Sequence, residues 1–270
     1  MRKDMDTDFF APPPPRVMAH RGASSEYPEN TMPAFRAAVE CGADYIELDV
    51  HCTRDGEVVV VHDERLSRIA SDDRAIGEMT FAELQKIDAA LNFSPDGDGT
   101  PFRGRGIRIP RLLEVLSSWP AMRFVIEFKP RDPIIADATL AIVRQVGMER
   151  RVLFASEHLP PIARLRAVAP QVPTNLPAAE IVSFVQSCSA GISSYAASGD
   201  ALQIPPEHQS IRLATREIVA AAHRRGLEVH VWTINEQAEM EEMLSLGVDG
   251  IITDCPGRLL SMLRSRQAGA

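Results

Sequence analysis

A chain of 270 residues with 45 % apolar and 24 % charged side chains has the balance of a globular protein with a sizeable core. Its formal charge of −8 argues against a nucleic-acid binder and means that an anionic ligand needs local cationic help. Four scattered cysteines suggest neither a disulfide framework nor a zinc site, and no apolar run reaches membrane-span or signal-peptide length, so a cytoplasmic protein without stable membrane association is expected.

The start, "MRKDMDTDFFAPPPP", predicts a flexible tail over residues 1–15, with Pro12 to Pro15 as a short extended spacer. From Arg16 onward, β-rich runs alternate with amphipathic helical stretches: "RVMAH" is followed by "MPAFRAAVECG", then comes "YIELDV". The later strand candidates are "RFVIEFK", "RVLFAS", "VPTNL", "ALQI", "EVHVWTI" and "DGIITD", each with a helical run behind it. Gly42, Gly147, Gly226 and Gly247 close several of those helices as C-terminal caps. Strict alternation implies parallel pairing through right-handed crossovers, and eight units match a (β/α)₈ TIM barrel, one domain over residues 16–270. The competing doubly wound sheet lacks its Gly-rich phosphate turn after the first strand.

The run "EVVVVHD" follows "YIELDV" too soon for a helical crossover, and "TRDG" suits a hairpin turn. It reads as an antiparallel return strand at the barrel rim, bringing His62 back opposite Glu47 or Asp49. Residues 64 to about 108 then form a small insertion with one helix over Thr80–Ala89, opened by the capping box "TFAE".

Active groups of such barrels sit at the C-terminal strand ends. Those ends carry His20 and Arg21, then Glu47 and Asp49, then Glu127 and Lys129, then Trp232 and finally Asp254. Period-2 alternation puts each acid pair member on a shared face. Three converging carboxylates repel one another, and all-oxygen ligation by Glu47, Asp49 and Glu127 suits a divalent cation, Mg²⁺ or Ca²⁺. The competing reading is a salt-bridge network with Arg21 and Lys129. His20 and His62 are the candidate acid–base pair, because imidazole titrates near neutrality. Arg21 and Lys129 are candidates for holding an anionic substrate, and Trp232 for walling an alcohol pocket. Glu29 and Asn30 precede the first helix, as a cap or as a metal or substrate contact.

"AHRG", "PENT", "IELDV", "TRDGEVVVVHD", "IPRLLEVL", "IEFK", "VWTIN" and "GVDGIITDCP", in that order, resemble the glycerophosphodiester phosphodiesterase family over residues 17 to about 260. The resemblance implies a TIM barrel with an insertion after the "HD" motif, and hydrolysis of a small-molecule glycerophosphodiester to glycerol 3-phosphate and an alcohol. It implies His20 and His62 as general acid and base, Glu47, Asp49 and Glu127 as ligands of Mg²⁺ or Ca²⁺, and Arg21 and Lys129 as phosphate contacts. The sequence departs from many relatives at "ASEHLP", where Glu157 follows Ser156 in place of an aromatic residue. A lipid phosphodiesterase of the phospholipase type and a non-catalytic phosphodiester-binding barrel are the rival readings.

Overall fold

In the computed structural model, which describes residues 8–192 and 194–268, the apolar alternation of the strands curls them into a parallel barrel. The strands are β1 (Arg16–His20), β2 (Tyr45–Cys52), β3 (Val58–Val60), β4 (Arg123–Phe128), β5 (Val152–Ala155), β6 (Ala201–Ile204), β7 (Glu207–His208), β8 (Ile211–Arg212), β9 (Glu228–Val231) and β10 (Gly250–Thr253). The helices are α1 (Met32–Cys41), α2 (Phe81–Leu84), α3 (Leu112–Ser118), α4 (Ile134–Gln145), α5 (Leu159–Val168), α6 (Ala178–Ser189), α7 (Arg216–Arg224), α8 (Gln237–Leu246) and α9 (Pro256–Ala268).

Seven parallel strands run in the order β5-β4-β2-β1-β10-β9-β6. The expected strand "VPTNL" closes the ring between β5 and β6, but only through the bridges Phe154 to Thr174 and Asn175 to Ala201. Pro173 within this segment and Pro177 directly after it remove ladder donors and keep it short. Along β2 and β4, Ile46, Leu48, Val50, Phe124, Ile126 and Phe128 join the core between barrel and helices. The alternate residues point into the barrel, where Tyr45, Met18, Val125, Leu153 and Ile252 fill the lower interior. The helix caps follow the glycine signals: Gly42 and Gly247 adopt left-handed φ values of 96° and 80° behind α1 and α8.

The flexible tail expected over residues 1–15 is corrected for residues 8–15; residues 1–7 lie outside the described residues. Phe9 is fully buried in the barrel-interior cluster, its ring 4.8 Å from that of Tyr45, whose hydroxyl donates to the Phe9 carbonyl. Arg16 donates to the Pro12 and Phe10 carbonyls. The aromatic pair in "DFFAPPPP" thus plugs the N-terminal end of the barrel, where burial of a Phe outweighs the cost of ordering a short segment.

β3 returns antiparallel on β2, with Val50 opposite Val60 and Cys52 opposite Val58, around a turn in which Gly56 takes φ +85°. Between β3 and α3 the chain builds a second apolar cluster from Val59, Val61, Leu66, Ile76, Met79, Leu84 and Ile109. Its helix α2 spans Phe81–Leu84, shorter than the predicted Thr80–Ala89. The capping box forms as expected, with Glu83 N donating to Thr80 Oγ1 and Thr80 N donating to Glu83 Oε2. The helix stops early because Asp88 instead accepts hydrogen bonds from the Ala90 and Gly104 amides. The two-residue strands β7 and β8 form a small exposed hairpin after β6. No helix among the described residues is long and apolar enough to cross a membrane.

Candidate active site

Ladder register assembles the site. His20 of β1 lies beside Glu47 of β2, and Asp49 of β2 lies beside Glu127 of β4. Because both acids of β2 sit at inward positions, one oxygen from each of Glu47, Asp49 and Glu127 falls within 4.8 Å of the others. Glu47 is 4 % exposed and Asp49 fully buried. Burial, then the Asp49 charge, pushes the Glu47 carboxyl upward. Burial would also raise Asp49, but Lys129 and Arg21 hold it well below the usual carboxylate range. Glu127 is raised, chiefly by burial, with Lys129 opposing.

Both candidate cations are engaged with these acids. Lys129 Nζ lies 3.0 Å from Asp49 Oδ1 and 2.9 Å from Glu127 Oε1, and Arg21 Nε lies 3.2 Å from Asp49 Oδ2. Even so, the buried Asp49 Oδ1 accepts no well-aligned hydrogen bond. Three oxygen donors, one of them under-satisfied, fit a hard divalent cation. The loop after β1 wraps the cluster. The Arg21 amide donates to Glu47 Oε2 at 3.0 Å, and the Asn30 amide group donates to Asp49 Oδ2 at 2.8 Å. Arg21, Gly22 and Asn30 all take positive φ here. At Gly22 a Cβ would meet the Ala34 backbone at 2.6 Å, so only glycine permits this wrap.

Each histidine has a carboxylate behind it. His20 Nδ1 is 2.6 Å from Asp254 Oδ1, and Asp254 is itself held by Ser24 Oγ at 2.8 Å and Asn235 Nδ2 at 2.6 Å. Burial opposes the charged imidazole, but the Asp254 bond and the Glu47 charge together raise its pKa. Burial likewise opposes an ionised Asp254, yet its His20, Asn235 and Ser24 bonds lower it to about 2. His62 Nδ1 is 2.6 Å from Asp63 Oδ1. The hairpin register differs from expectation by one residue: Val61 N donates to Asp49 O, so His62 follows the strand position opposite Asp49. His62 still lies near enough to Asp49 and Glu127 for its charge to favour both carboxylates. His51, which sequence reasoning left unassigned, is buried and bonds the His62 carbonyl through Nε2 at 3.0 Å.

Trp232 follows β9 on the same rim, 39 % exposed, and is not part of the ion-paired cluster. Sequence reasoning missed three supporting residues. Asp63 stands next to His62 in "HD", Asn235 lies in the "WTIN" run, and Arg68 in "LSR" carries no local signal. Arg68 pairs with Asp63 and Glu29, and Glu29 with Arg21.

The sequence profile of the glycerophosphoryl diester phosphodiesterase family matches residues 20–258. A glycerophosphodiester phosphodiesterase of Caldanaerobacter subterraneus subsp. tengcongensis is 32 % identical over 264 residues, covering 92 % of this chain and 97 % of the relative. Among solved structures, a glycerophosphodiester phosphodiesterase from Agrobacterium tumefaciens matches with a TM-score of 0.72 and 28 % identity, over 91 % of this chain and 99 % of that one. A phosphodiesterase from Oleispira antarctica, solved in complex with the product sn-glycerol-3-phosphate, matches with a TM-score of 0.72 and 26 % identity, over 93 % and 97 % of the two chains.

Proposed function

Because this chain belongs to the glycerophosphoryl diester phosphodiesterase family, we propose that it hydrolyses small glycerophosphodiesters to glycerol 3-phosphate and an alcohol, using His20 and His62 as acid and base and Glu47, Asp49 and Glu127 as ligands of Mg²⁺ or Ca²⁺. The observation that carries the reading is the register that sets His20 beside Glu47 and Asp49 beside Glu127, with His62 returned over them by the hairpin. A bound divalent cation supplies Lewis-acid stabilisation of phosphate oxygens.

The chain's own residues do the rest. Arg21 and Lys129 offer cationic donors where negative charge grows on the phosphate. Asp254 and Asp63 each occupy the Nδ1 side of a histidine, which orients the ring and leaves Nε2 for the reacting oxygens. One neutral histidine takes the proton of the attacking oxygen, from water or from the substrate's neighbouring hydroxyl, as that oxygen bonds to phosphorus. The other, protonated, delivers its proton to the alkoxide as the P–O bond to the alcohol breaks. Where the substrate's hydroxyl attacks, water then opens the cyclic phosphate to glycerol 3-phosphate. Trp232 on the exposed rim contacts the alcohol. The four free cysteines fit a reducing cytoplasmic setting.

A panel of glycerophosphodiesters assayed with and without chelator tests this reading. Release of glycerol 3-phosphate that stops on chelation and returns with Mg²⁺ or Ca²⁺ supports it. Chelator-insensitive turnover removes the metal role, and no release from any diester removes the function. A second reading, a diester whose glycerol carries an acyl chain, is favoured by the exposed Ile134 and Leu159 at the starts of α4 and α5, Ile211 in β8 and Trp232 after β9. Faster release from a lysophospholipid than from its deacylated counterpart would decide for it.

A further inference from the structure

Arg68 ends the single helical turn Leu66–Arg68 of the insertion, and no role above uses it. Its guanidinium nevertheless joins two arms of the site. Nε donates to Asp63 Oδ2 at 2.5 Å, while Nη1 and Nη2 donate to Glu29 Oε2 and Oε1, both at 2.7 Å. Asp63 holds His62, and Glu29 accepts from Arg21 Nη1 at 3.0 Å. A continuous chain therefore runs from His62 through Asp63, Arg68 and Glu29 to Arg21. The insertion fixes the backbone that presents this guanidinium. Leu66 is fully buried in its core, and Asn92 Nδ2 donates to the Arg68 carbonyl at 3.1 Å.

We propose that Arg68 is a positioning residue, through which the folded insertion sets His62 and Arg21 relative to each other across the mouth. A planar guanidinium can serve both carboxylates at once, with two parallel bonds on Glu29 and a third on Asp63; a lysine offers a point charge without that fork. The side chain is 49 % exposed, and ion pairs this accessible add little stability. Losing Arg68 should therefore show in the placement of the catalytic groups rather than in folding. The kinetic arm of the test rests on the acid–base role proposed for His62; the spectroscopic arm does not.

Arg68→Ala, Arg68→Lys and His62→Ala variants of the full chain are compared for kcat, KM, melting temperature and ¹⁵N–¹H correlations of the histidine rings. Misplacement of reacting groups predicts a kcat loss of about tenfold to a hundredfold in Arg68→Ala, not restored by lysine. Added guanidinium ion should recover part of it, and the melting temperature should fall by no more than about 4 °C. The His62 ring signals should shift, while those of His230, fully buried within β9, stay in place. Unmoved His62 signals with kcat within about twofold of wild type overturn the proposal. So does a loss that tracks the melting temperature and moves His230 equally. Should His62→Ala keep full turnover, the acid–base reading fails, and the His62 ring signals of Arg68→Ala alone decide: a shift supports the clamp and constancy overturns it.

Discussion

Where β10, β1, β2 and β4 meet the mouth of the barrel, the strand ends carry Asp254, His20, Glu47, Asp49 and Glu127, and these groups are locked by ion pairs and hydrogen bonds at 2.6–3.2 Å. In the segments that follow β5, β6 and β9, the exposed large residues include Leu159 at the start of α5, Ile211 in β8 and Trp232, exposed by 41 %, 60 % and 39 %. The first arc buries charge, which is tolerable only with partners at every position. The second leaves apolar surface in water, which has little cost when scattered and something to gain when an organic group covers it. On the proposed function, chemistry and substrate choice should be separable, the first arc acting on kcat and the second mainly on KM.

The largest break would come from the histidines. Replacing His20 or His62 with Ala should lower kcat by about 10²- to 10⁴-fold with the fold intact by circular dichroism, and activity within about tenfold of wild type would contradict an acid–base role. Cation binding measured by calorimetry sharpens the same arc. The Glu47 carboxyl is raised by burial and by Asp49, so below that raised value it holds a proton that an incoming ion must displace. Affinity for Mg²⁺ or Ca²⁺ should therefore rise with pH, with protons released on binding.

A smaller effect is expected at Asp254→Asn, about tenfold to a hundredfold in kcat, because the ring of His20 loses its orienting partner. The variant also has a pH signature. The folded-state pKa of Asp254 is lowered from 3.8 to about 2, so its stabilising contribution is complete above the unfolded value and vanishes as pH falls through about 2. Wild-type and variant melting temperatures should differ at neutral pH and converge in acid. The smallest effect belongs to the other arc: Trp232→Ala should raise KM by about tenfold or less while kcat holds, since it removes packing and no charge. A kcat loss as large as that of His62→Ala would merge the two arcs.

Much of the first arc was legible in sequence because the signals were local. Alternation in "YIELDV" and "FVIEFK" placed Glu47, Asp49 and Glu127 on one face, and "TRDG" announced the hairpin that returns His62. Other features were illegible for physical reasons. Phe9 reads as part of a proline-rich tail because the cavity that it fills is made by strands far along the chain. Thr80–Ala89 reads as one helix because nothing local reveals that Asp88 will bond Gly104. The β7–β8 hairpin follows the short strand β6 in a segment that carries no recognisable motif.

From the sequence alone came the alternating order of strands and helices, the barrel it implies, and the candidate residues at the strand ends. Periodicity assigns a residue to a face of its own element, and that is information carried within a few neighbours. Which groups meet across elements was decided by tertiary structure. Asp254 reaches His20 across 234 positions and Arg68 reaches Glu29 across 39, because barrel closure and ladder register, rather than any local pattern, bring those side chains together.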